Sequence, residues 1–155
     1  MRLWSIHMNI DYMHEALKEA EKAAKKGEVP VGCVIVHRDK IIARAHNLKE
    51  KKRSATKHAE IIAIEKASKK LKSWRLLECD IYVTLEPCAM CAGAIINARI
   101  QNLYYGAPEQ KFGCAGSVYN LFADNKFNHL VNVQGGIETQ QSAKLLKDFF
   151  LNKRK

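Results

Sequence analysis

The stretch CDIYVTLEPCAMCAGAIINARIQNLYYGA, residues 79–107, decides the fold of this chain. Its first part, CDIYVTL, has enough apolar residues to predict a strand buried on both faces. PCAMCAGAIINARI then predicts a helix with Pro87 at its start, where a missing backbone N–H costs nothing. QNLYYGA predicts a second strand. A strand, a helix and a strand in succession indicate neighbouring parallel strands, as in α/β proteins.

The residues before this stretch add a helix, a hairpin and another helix. Apolar residues at helical spacing predict a helix over 11–26, with Gly27 as its stop. VGCVIV and IIARAHN, at 31–36 and 41–47, predict two strands of a β-hairpin joined by a polar turn. HAEIIAIEKASKKLK, at 58–72, keeps one side apolar and predicts a second helix.

The residues after it predict helices only. GCAGSVYNLF, at 113–122, is typical of a glycine turn that leads into a short helix. The segment 135–155 predicts a C-terminal amphipathic helix. With no linker or repeat in the chain, we predict one domain over residues 1–155. The order of its elements favours an α/β sandwich whose sheet is at least partly parallel.

Composition and charge restrict the class of protein. Hydrophobic residues make up 47% and charged residues 27% of 155, which is typical of a globular chain. No apolar run approaches the ~18 residues of a membrane span, and the N-terminus lacks a signal-peptide pattern, so we expect a cytoplasmic protein without a membrane partner. The net charge of +10 indicates either solubility alone or a polyanionic partner such as RNA.

Cys88 and Cys91 are the only two of five cysteines that lie close together in the sequence. Both fall at the predicted start of a helix, where the helix dipole favours the thiolate form that binds metals. Two thiols cannot hold a zinc ion alone. By themselves they are also consistent with small core residues or with a redox pair.

His58 is the candidate third ligand, because it begins the other predicted helix that follows a strand. Three protein ligands are typical of a catalytic zinc site, whereas a structural site is closed by four. Cys33, Cys79 and Cys114 are not at a matching helix start, so we assign them structural roles. Glu60, two residues after His58, is placed to take a proton from a water molecule at such a site.

The pattern His-x-Glu followed by Pro-Cys-x-x-Cys is a signature of zinc-dependent nucleobase deaminases. The chain resembles the cytidine and deoxycytidylate deaminase superfamily and is most similar to its bacterial tRNA-specific adenosine deaminases. Beyond the metal motif, the likeness rests on GEVPVG at 27–32, ARAHN at 43–47, SWRL at 73–76 and GCAGS at 113–117. It covers nearly the whole chain.

The resemblance implies a cytidine deaminase-like fold, a three-layer α/β/α sandwich around a five-stranded mixed sheet. It implies a homodimer with one zinc ion per subunit, and a tRNA anticodon stem-loop as the partner. The wobble adenosine would become inosine when activated water attacks C6, with Glu60 moving the protons. The residues that would contact the base are Asn47 by hydrogen bonding, Val29, Pro30 and Leu85 as pocket walls, and Ala59 through its backbone.

Three features depart from the family pattern: Pro108-Glu109, Phe112 and Cys114. All lie in one segment that could contact the RNA backbone, so they affect RNA recognition and not the metal motif. Two other functions stay open at this point. One is deamination of a free base or nucleoside such as guanine, cytosine or cytidine. The other is a non-catalytic, zinc-stabilised RNA-binding module, which requires a fourth protein ligand.

Overall fold

A single five-stranded sheet forms the centre of the molecule. The structure is a computed structural model, and it describes residues 8–123 and 126–153. The elements in chain order are α1 (Ile10–Lys25), β1 (Gly32–His37), β2 (Lys40–His46), α2 (Ala59–Leu71), β3 (Cys79–Leu85), α3 (Ala89–Asn97), β4 (Asn102–Ala107), β5 (Asn132–Gln134) and α4 (Thr139–Lys153). The strand order across the sheet is β2-β1-β3-β4-β5.

The sheet is mixed, as the resemblance implied. β1 pairs in antiparallel fashion with both β2 and β3, whereas β3, β4 and β5 run parallel. The predicted hairpin turns at Arg38 and Asp39, which both have positive φ, a conformation that suits the right-handed twist of the two strands. α3 provides the crossover between β3 and β4.

Helices cover both faces of the sheet, which completes the three-layer sandwich. α2 and α3 bury the larger core, which includes Ile35, Ile81 and Ile95. α1 and α4 cover the other face, where Met13 packs with Tyr82. β3 is buried from Cys79 to Thr84 because helices lie on both sides of it.

α1 and α4 lie side by side and run in the same direction. Glu138, just before α4, is 3.1 Å from the ring of His14 near the start of α1. Near the other end, Phe149 lines a surface cavity together with Ala24. The last turn of α4 therefore lies beside the end of α1. The final residues of the predicted C-terminal helix, 154 and 155, lie outside the described residues.

Three local predictions differ from the structure. α3 begins at Ala89, so Pro87 precedes the helix, and the extended Cys88 (φ −76°, ψ 179°) is its N-cap. Segment 113–122 contains turns and an isolated bridge between Ala115 and Asn120 instead of a helix, because its backbone folds around a buried carboxylate. β5 has three exposed residues and no alternating pattern, so the sequence did not indicate it.

Among the described helices, none combines the length and apolar character needed to cross a membrane.

Candidate active site

Two helices of the same face begin at the same edge of the sheet. β2 and β3 run in the same direction, because each is antiparallel to β1. The chain therefore leaves both strands at one edge and enters α2 and α3 there. His58 is the N-cap of α2 and Cys88 is the N-cap of α3, so both side chains face the gap between the two helix starts.

His58, Cys88 and Cys91 form a group whose candidate ligand atoms all lie within 4.8 Å of one another. The His58 Nδ1 atom is 3.7 Å from the sulfur of Cys88 and 3.6 Å from that of Cys91. With usual zinc–sulfur and zinc–nitrogen bond lengths, a tetrahedral site needs a nitrogen–sulfur separation of about 3.6 Å. The donor types and their spacing therefore fit a zinc ion.

No fourth ligand joins the group within the described residues. Cys33, Cys79 and Cys114 are buried elsewhere as free thiols. Burial raises the pKa of Cys33 and Cys79, as expected of unreactive core cysteines. Three protein ligands leave one position open for water, which is the arrangement of catalytic zinc sites. The non-catalytic alternative required a fourth ligand and loses support.

The charges of the group favour metal binding. A hydrogen bond with Cys91 lowers the pKa of the Cys88 thiol to about 4 against the effect of its burial, and a bond with His58 lowers it further. The same bond between the sulfurs, together with burial, raises the pKa of Cys91. The lowered pKa favours the thiolate form of Cys88, and the dipole of α3 adds to the stability of that form.

Glu60 lies in the first turn of α2 with 4% of its surface exposed. Burial raises the pKa of its carboxyl group to about 7. A proton-transfer group is most effective when its pKa is close to the working pH, because both protonation states are then populated. Glu60 therefore has the environment expected of a proton shuttle.

A cavity of about 400 Å³ opens above the group, with His58, Glu60 and Cys88 in its lining. Val29, Leu85 and Asn47 also line it, as does Ala59, so the cavity has apolar walls and a few polar groups. That size and character suit one nucleobase. A second cavity of about 520 Å³ lies at the hairpin end of the sheet and contains none of these residues.

Pro30 is the exception among the predicted pocket residues. It is buried and does not line the cavity, whereas Val31 does. The backbone N–H of Val31 donates to the carbonyl of Val29 (2.9 Å), which makes a three-residue turn with Pro30 at its centre. The two valines face the cavity and the proline between them faces away.

Asn47 is held by the backbone and keeps hydrogen-bonding capacity. Its side-chain nitrogen donates to the Val29 carbonyl (3.3 Å), and its side-chain oxygen accepts from the Lys49 N–H (3.1 Å). An amide has two N–H donors and two acceptor lone pairs, so one of each is left for a ligand. Ala59 also lines the cavity, and its N–H, in the first turn of α2, has no partner within the helix.

Glu86 is a site residue that the sequence analysis missed. Only 2% of it is exposed, yet its carboxylate accepts hydrogen bonds from the backbone N–H groups of Glu109, Ala115 and Ser117 and from the Ser117 hydroxyl. These bonds fasten the 109–117 loop beside the metal helix. The position of this glutamate directly before Pro-Cys was the available sequence signal for its role. Its hydrogen-bond partners, however, lie more than 20 residues later in the chain.

Glu109 and Phe112, from the segment that departs from the family pattern, line the mouth of the cavity. Lys49, from the loop before α2, lines it as well. The glutamate side chain accepts from the Lys111 N–H (3.0 Å) and so braces the turn before Phe112. Two of the side chains that depart from the family pattern, Glu109 and Phe112, therefore lie where a substrate would enter. The metal group itself is unaffected by them.

The comparisons with known proteins agree with this geometry. The sequence model described as MafB19-like deaminase matches residues 8–154. A tRNA-specific adenosine deaminase of Bacillus subtilis (strain 168) is 46% identical over 93% of this chain and 89% of that protein. A solved structure from studies of A-to-I editing by tRNA:A34 deaminases at the wobble position of transfer RNA has a TM-score of 0.86 and 41% identity, covering 89% of this chain and 100% of that one. A guanine deaminase structure from Bacillus subtilis has a TM-score of 0.62 and 36% identity, covering 66% of each chain.

Proposed function

This chain belongs to the deaminase family that includes the tRNA-specific adenosine deaminases, and on that premise we propose that it deaminates adenosine to inosine at the wobble position of a tRNA. The observation that carries the proposal is the floor of the cavity. There, His58 and Cys88 line the cavity and converge with the buried Cys91 at zinc-ligand spacing, while Glu60 shares the same lining. A hydrolytic deaminase needs both an activated water and a proton shuttle, and these four residues supply the groups for both.

The proposed ligands are the His58 imidazole and the two thiolates, with one zinc ion per subunit. Zinc bound there would supply the Lewis acidity that makes water nucleophilic at neutral pH. Glu60 takes the proton of the attacking water, protonates a ring nitrogen of adenine and passes a proton to the leaving amine. A new C6–O bond replaces the C6–N bond, so adenosine and water become inosine and ammonia.

The adenine base is held by the cavity walls. Val29 and Leu85 pack against its faces, and the spare donor and acceptor of Asn47 bond its edge. The Ala59 N–H provides a further donor at the helix start. A base inside a stem-loop must turn out of its stack to enter, and an apolar slot with a few polar groups compensates for the lost stacking.

The basic surface supports RNA as the substrate. Lys49 lines the mouth of the cavity, and the exposed Lys51, Lys52 and Arg53 follow it in the same loop. Lys153, in the last turn of α4, lines a surface cavity with Gly27, two residues before the pocket wall Val29. Basic side chains thus lie at the entrance and in the loop that leads away from it, where the phosphates of an anticodon stem-loop would be attracted. The proposed assembly is a homodimer, and the proposed compartment is the cytoplasm because the substrate is tRNA.

Deamination of a free base is the second candidate, because the guanine deaminase of Bacillus subtilis shares the fold at 36% identity. The same metal group and shuttle would serve either substrate. The two candidate substrates differ in the surface charge that they require. A tRNA is attracted by the net charge of +10, whereas a neutral free base gains nothing from it.

One assay separates them. The purified protein is incubated with an anticodon stem-loop carrying A at the wobble position, the same stem-loop with G there, and guanine, cytosine, cytidine and adenosine separately. Inosine and ammonia are measured. We expect inosine from the A-bearing stem-loop alone. Turnover of a free base or nucleoside without turnover of the stem-loop would overturn the tRNA proposal and keep the metal chemistry.

A further inference from the structure

Phe112 is a large apolar side chain held in water at the mouth of the candidate active site. It is 68% exposed, and it lines the cavity together with Lys49 and Glu109. The family resemblance did not lead us to expect an aromatic residue here. Exposing an aromatic ring to water forgoes the free energy that burial provides, so a ligand that covers the ring would be stabilised by it.

The backbone that carries Phe112 is firmly held. The Gly113 N–H donates to the Glu109 carbonyl (2.9 Å), and the Cys114 thiol donates to the Phe112 carbonyl (3.5 Å). The Cys114 N–H bonds the Pro87 carbonyl (2.8 Å), which ties the loop to the start of α3. Together with the Glu86 carboxylate, these bonds fix the backbone from which the ring projects, so little backbone conformational entropy is lost when a ligand covers the ring.

The substrate of the proposed function offers such a ligand. When the target adenosine enters the cavity, it leaves its stack, and the base on either side of it loses a stacking partner. Aromatic side chains compensate for that loss, because every base presents a flat π-face whatever its sequence. Lys111, which is exposed and directly precedes Phe112 in the chain, and Lys49 in the cavity lining can contact the neighbouring phosphates.

We propose that Phe112 stacks on the base of a nucleotide adjacent to the deaminated adenosine and so determines how the RNA lies across the cavity mouth. This proposal rests on the proposed function, since it names a further contact of the same substrate. Phe112 acts on binding and positioning. It does not move protons and does not contact the reacting carbon.

The test combines Phe112 variants with modified stem-loops. Phe112→Ala removes the ring, Phe112→Leu keeps an apolar side chain without a π-face, and Phe112→Trp keeps a π-face. Tyr119→Ala is the matched control, because Tyr119 is 71% exposed nearby in the chain but does not line the cavity. Single-turnover kcat/KM is measured on the stem-loop and on versions with an abasic site 5′ or 3′ of the wobble adenosine.

We expect Phe112→Ala to lower kcat/KM by about 5- to 150-fold, the range for loss of one base–aromatic stack. Phe112→Leu should lose nearly as much, whereas Phe112→Trp and Tyr119→Ala should stay close to the unmodified protein. One of the two abasic stem-loops should be a poorer substrate for the unmodified protein and no poorer than the intact stem-loop for Phe112→Ala.

Several results would overturn the proposal. Equal activity of Phe112→Ala and the unmodified protein would do so while leaving the proposed function intact. The proposal would also be overturned if each abasic site lowered kcat/KM equally for Phe112→Ala and for the unmodified protein. A change of oligomeric state in Phe112→Ala, measured by light scattering, would assign the ring to contact between two copies of the chain. No inosine from the unmodified protein on the intact stem-loop would instead overturn the proposed function, and this proposal with it.

Discussion

At the scale of single residues, the surroundings of a carboxyl group determine whether it can transfer protons or serves to hold the structure. Glu60 and Glu86 are both buried glutamates at the same cavity, yet their surroundings differ. Burial dominates at Glu60 and raises its pKa to about 7. At Glu86 burial also acts to raise the pKa, but the hydrogen bonds from the 109–117 loop outweigh it and lower the pKa. The first carboxyl group can exchange a proton at neutral pH, while the second stays charged and structural.

Replacing Glu60 by glutamine should abolish turnover and leave metal binding intact. The amide keeps the size and polarity of the side chain but cannot accept and return a proton. We expect kcat to fall by at least about 100- to 10,000-fold, the usual contribution of a proton-transfer group. Single-turnover kinetics on the stem-loop give the rate, and metal analysis gives the zinc content.

The matched variant is His58→Ala, which should lose both zinc and activity. A chelator should likewise inactivate the unmodified protein, and added zinc should restore it. Substantial turnover by zinc-loaded Glu60→Gln would rule out Glu60 as the shuttle.

Replacing Glu86 by glutamine should loosen the 109–117 loop. One carboxylate oxygen becomes an NH₂ group, which would face a backbone N–H and cannot accept from it. Bonds to charged acceptors contribute about 1.5–3 kcal/mol each, so we expect the free energy of unfolding to fall by about that much. Urea denaturation measures it.

Ser117→Ala provides the graded comparison for Glu86. It removes only the hydroxyl bond and keeps the backbone N–H bond of residue 117. We expect a loss of about 1 kcal/mol. If both variants were as stable as the unmodified protein, the carboxylate would not be holding the loop.

At the scale of elements, close packing of α1 on β1 depends on Gly32. A Cβ atom at this position would overlap the carbonyl oxygen of Ala16 and the backbone of Ala20. α1 must therefore shift if any side chain is added. The β1 strand that α1 covers leads out of the turn that holds Val29 and Val31, so a shift would also reach the cavity.

Gly32→Ala should destabilise the protein by about 1–3 kcal/mol or more, as overpacking of a tight contact does. The matched control is Gly93→Ala in α3, where nothing lies within 4 Å of the added methyl group. That change should stabilise by about 0.5–1 kcal/mol, because alanine loses less entropy in a helix than glycine. Thermal and urea unfolding measure the free energy of unfolding of both variants. Equal values for Gly32→Ala and Gly93→Ala would contradict the packing argument.

The contact between α1 and β2 should make stability depend on pH. Glu19 is 4% exposed and bonds the ring of His46 (2.9 Å) and Lys22 (2.7 Å). Its burial acts to raise the pKa, but the bonds from Lys22 and His46 outweigh it and lower the pKa below the usual 4.5. A lowered folded-state pKa contributes stability that is present above about pH 4.5 and is lost as the pH falls through the folded-state pKa.

Glu19→Gln should therefore be less stable at neutral pH and show a flatter decline of stability in acid. Urea midpoints from pH 7 to pH 3 measure this. Glu65→Gln is the control, because its ion pair with Lys57 is exposed and should contribute little. Parallel curves for Glu19→Gln and the unmodified protein would show that the Glu19 pair does not contribute.

At the scale of the whole molecule, the net charge of +10 should act through RNA binding. Each phosphate contact releases counterions, so affinity falls with salt. Four contacts would weaken binding about 50-fold between about 50 and about 200 mM salt. We expect KM for the stem-loop to rise accordingly, with kcat at saturation much less affected.

The position of the charge should matter as well as its amount. Lys51→Gln with Lys52→Gln changes the loop after the pocket residue Lys49 and should reduce the slope of log KM against log salt. Lys69→Gln with Lys70→Gln removes equal charge at the far end of α2, about 15 Å along the helix from Ala59 at the site. It should leave the slope nearly unchanged. Equal slopes for both double variants would show that binding follows net charge alone.

Much of the fold was predictable because it depends on local patterns. The apolar run of β3 predicts a buried strand, and the spacing of apolar residues in α1 and α2 predicts helices. β5 was not predictable, because its exposed residues pair through backbone atoms that carry no sequence signal. The loop at 113–122 was misread because its turns close around the Glu86 carboxylate, a partner distant in the sequence.

By itself, the sequence determined which residue types were available: a histidine, a nearby glutamate and two cysteines at helix starts, which sufficed to predict the metal group and the family. The tertiary structure decided their convergence, because β2 and β3 had to run the same way for His58 and Cys88 to meet. It also decided that Pro30 faces away from the cavity, that Glu86 holds the entrance loop and that Phe112 stands at the mouth. The chemical groups that a site can use follow from the identity of its side chains. Which of those side chains lie close together follows from strand direction and from hydrogen bonds between distant segments.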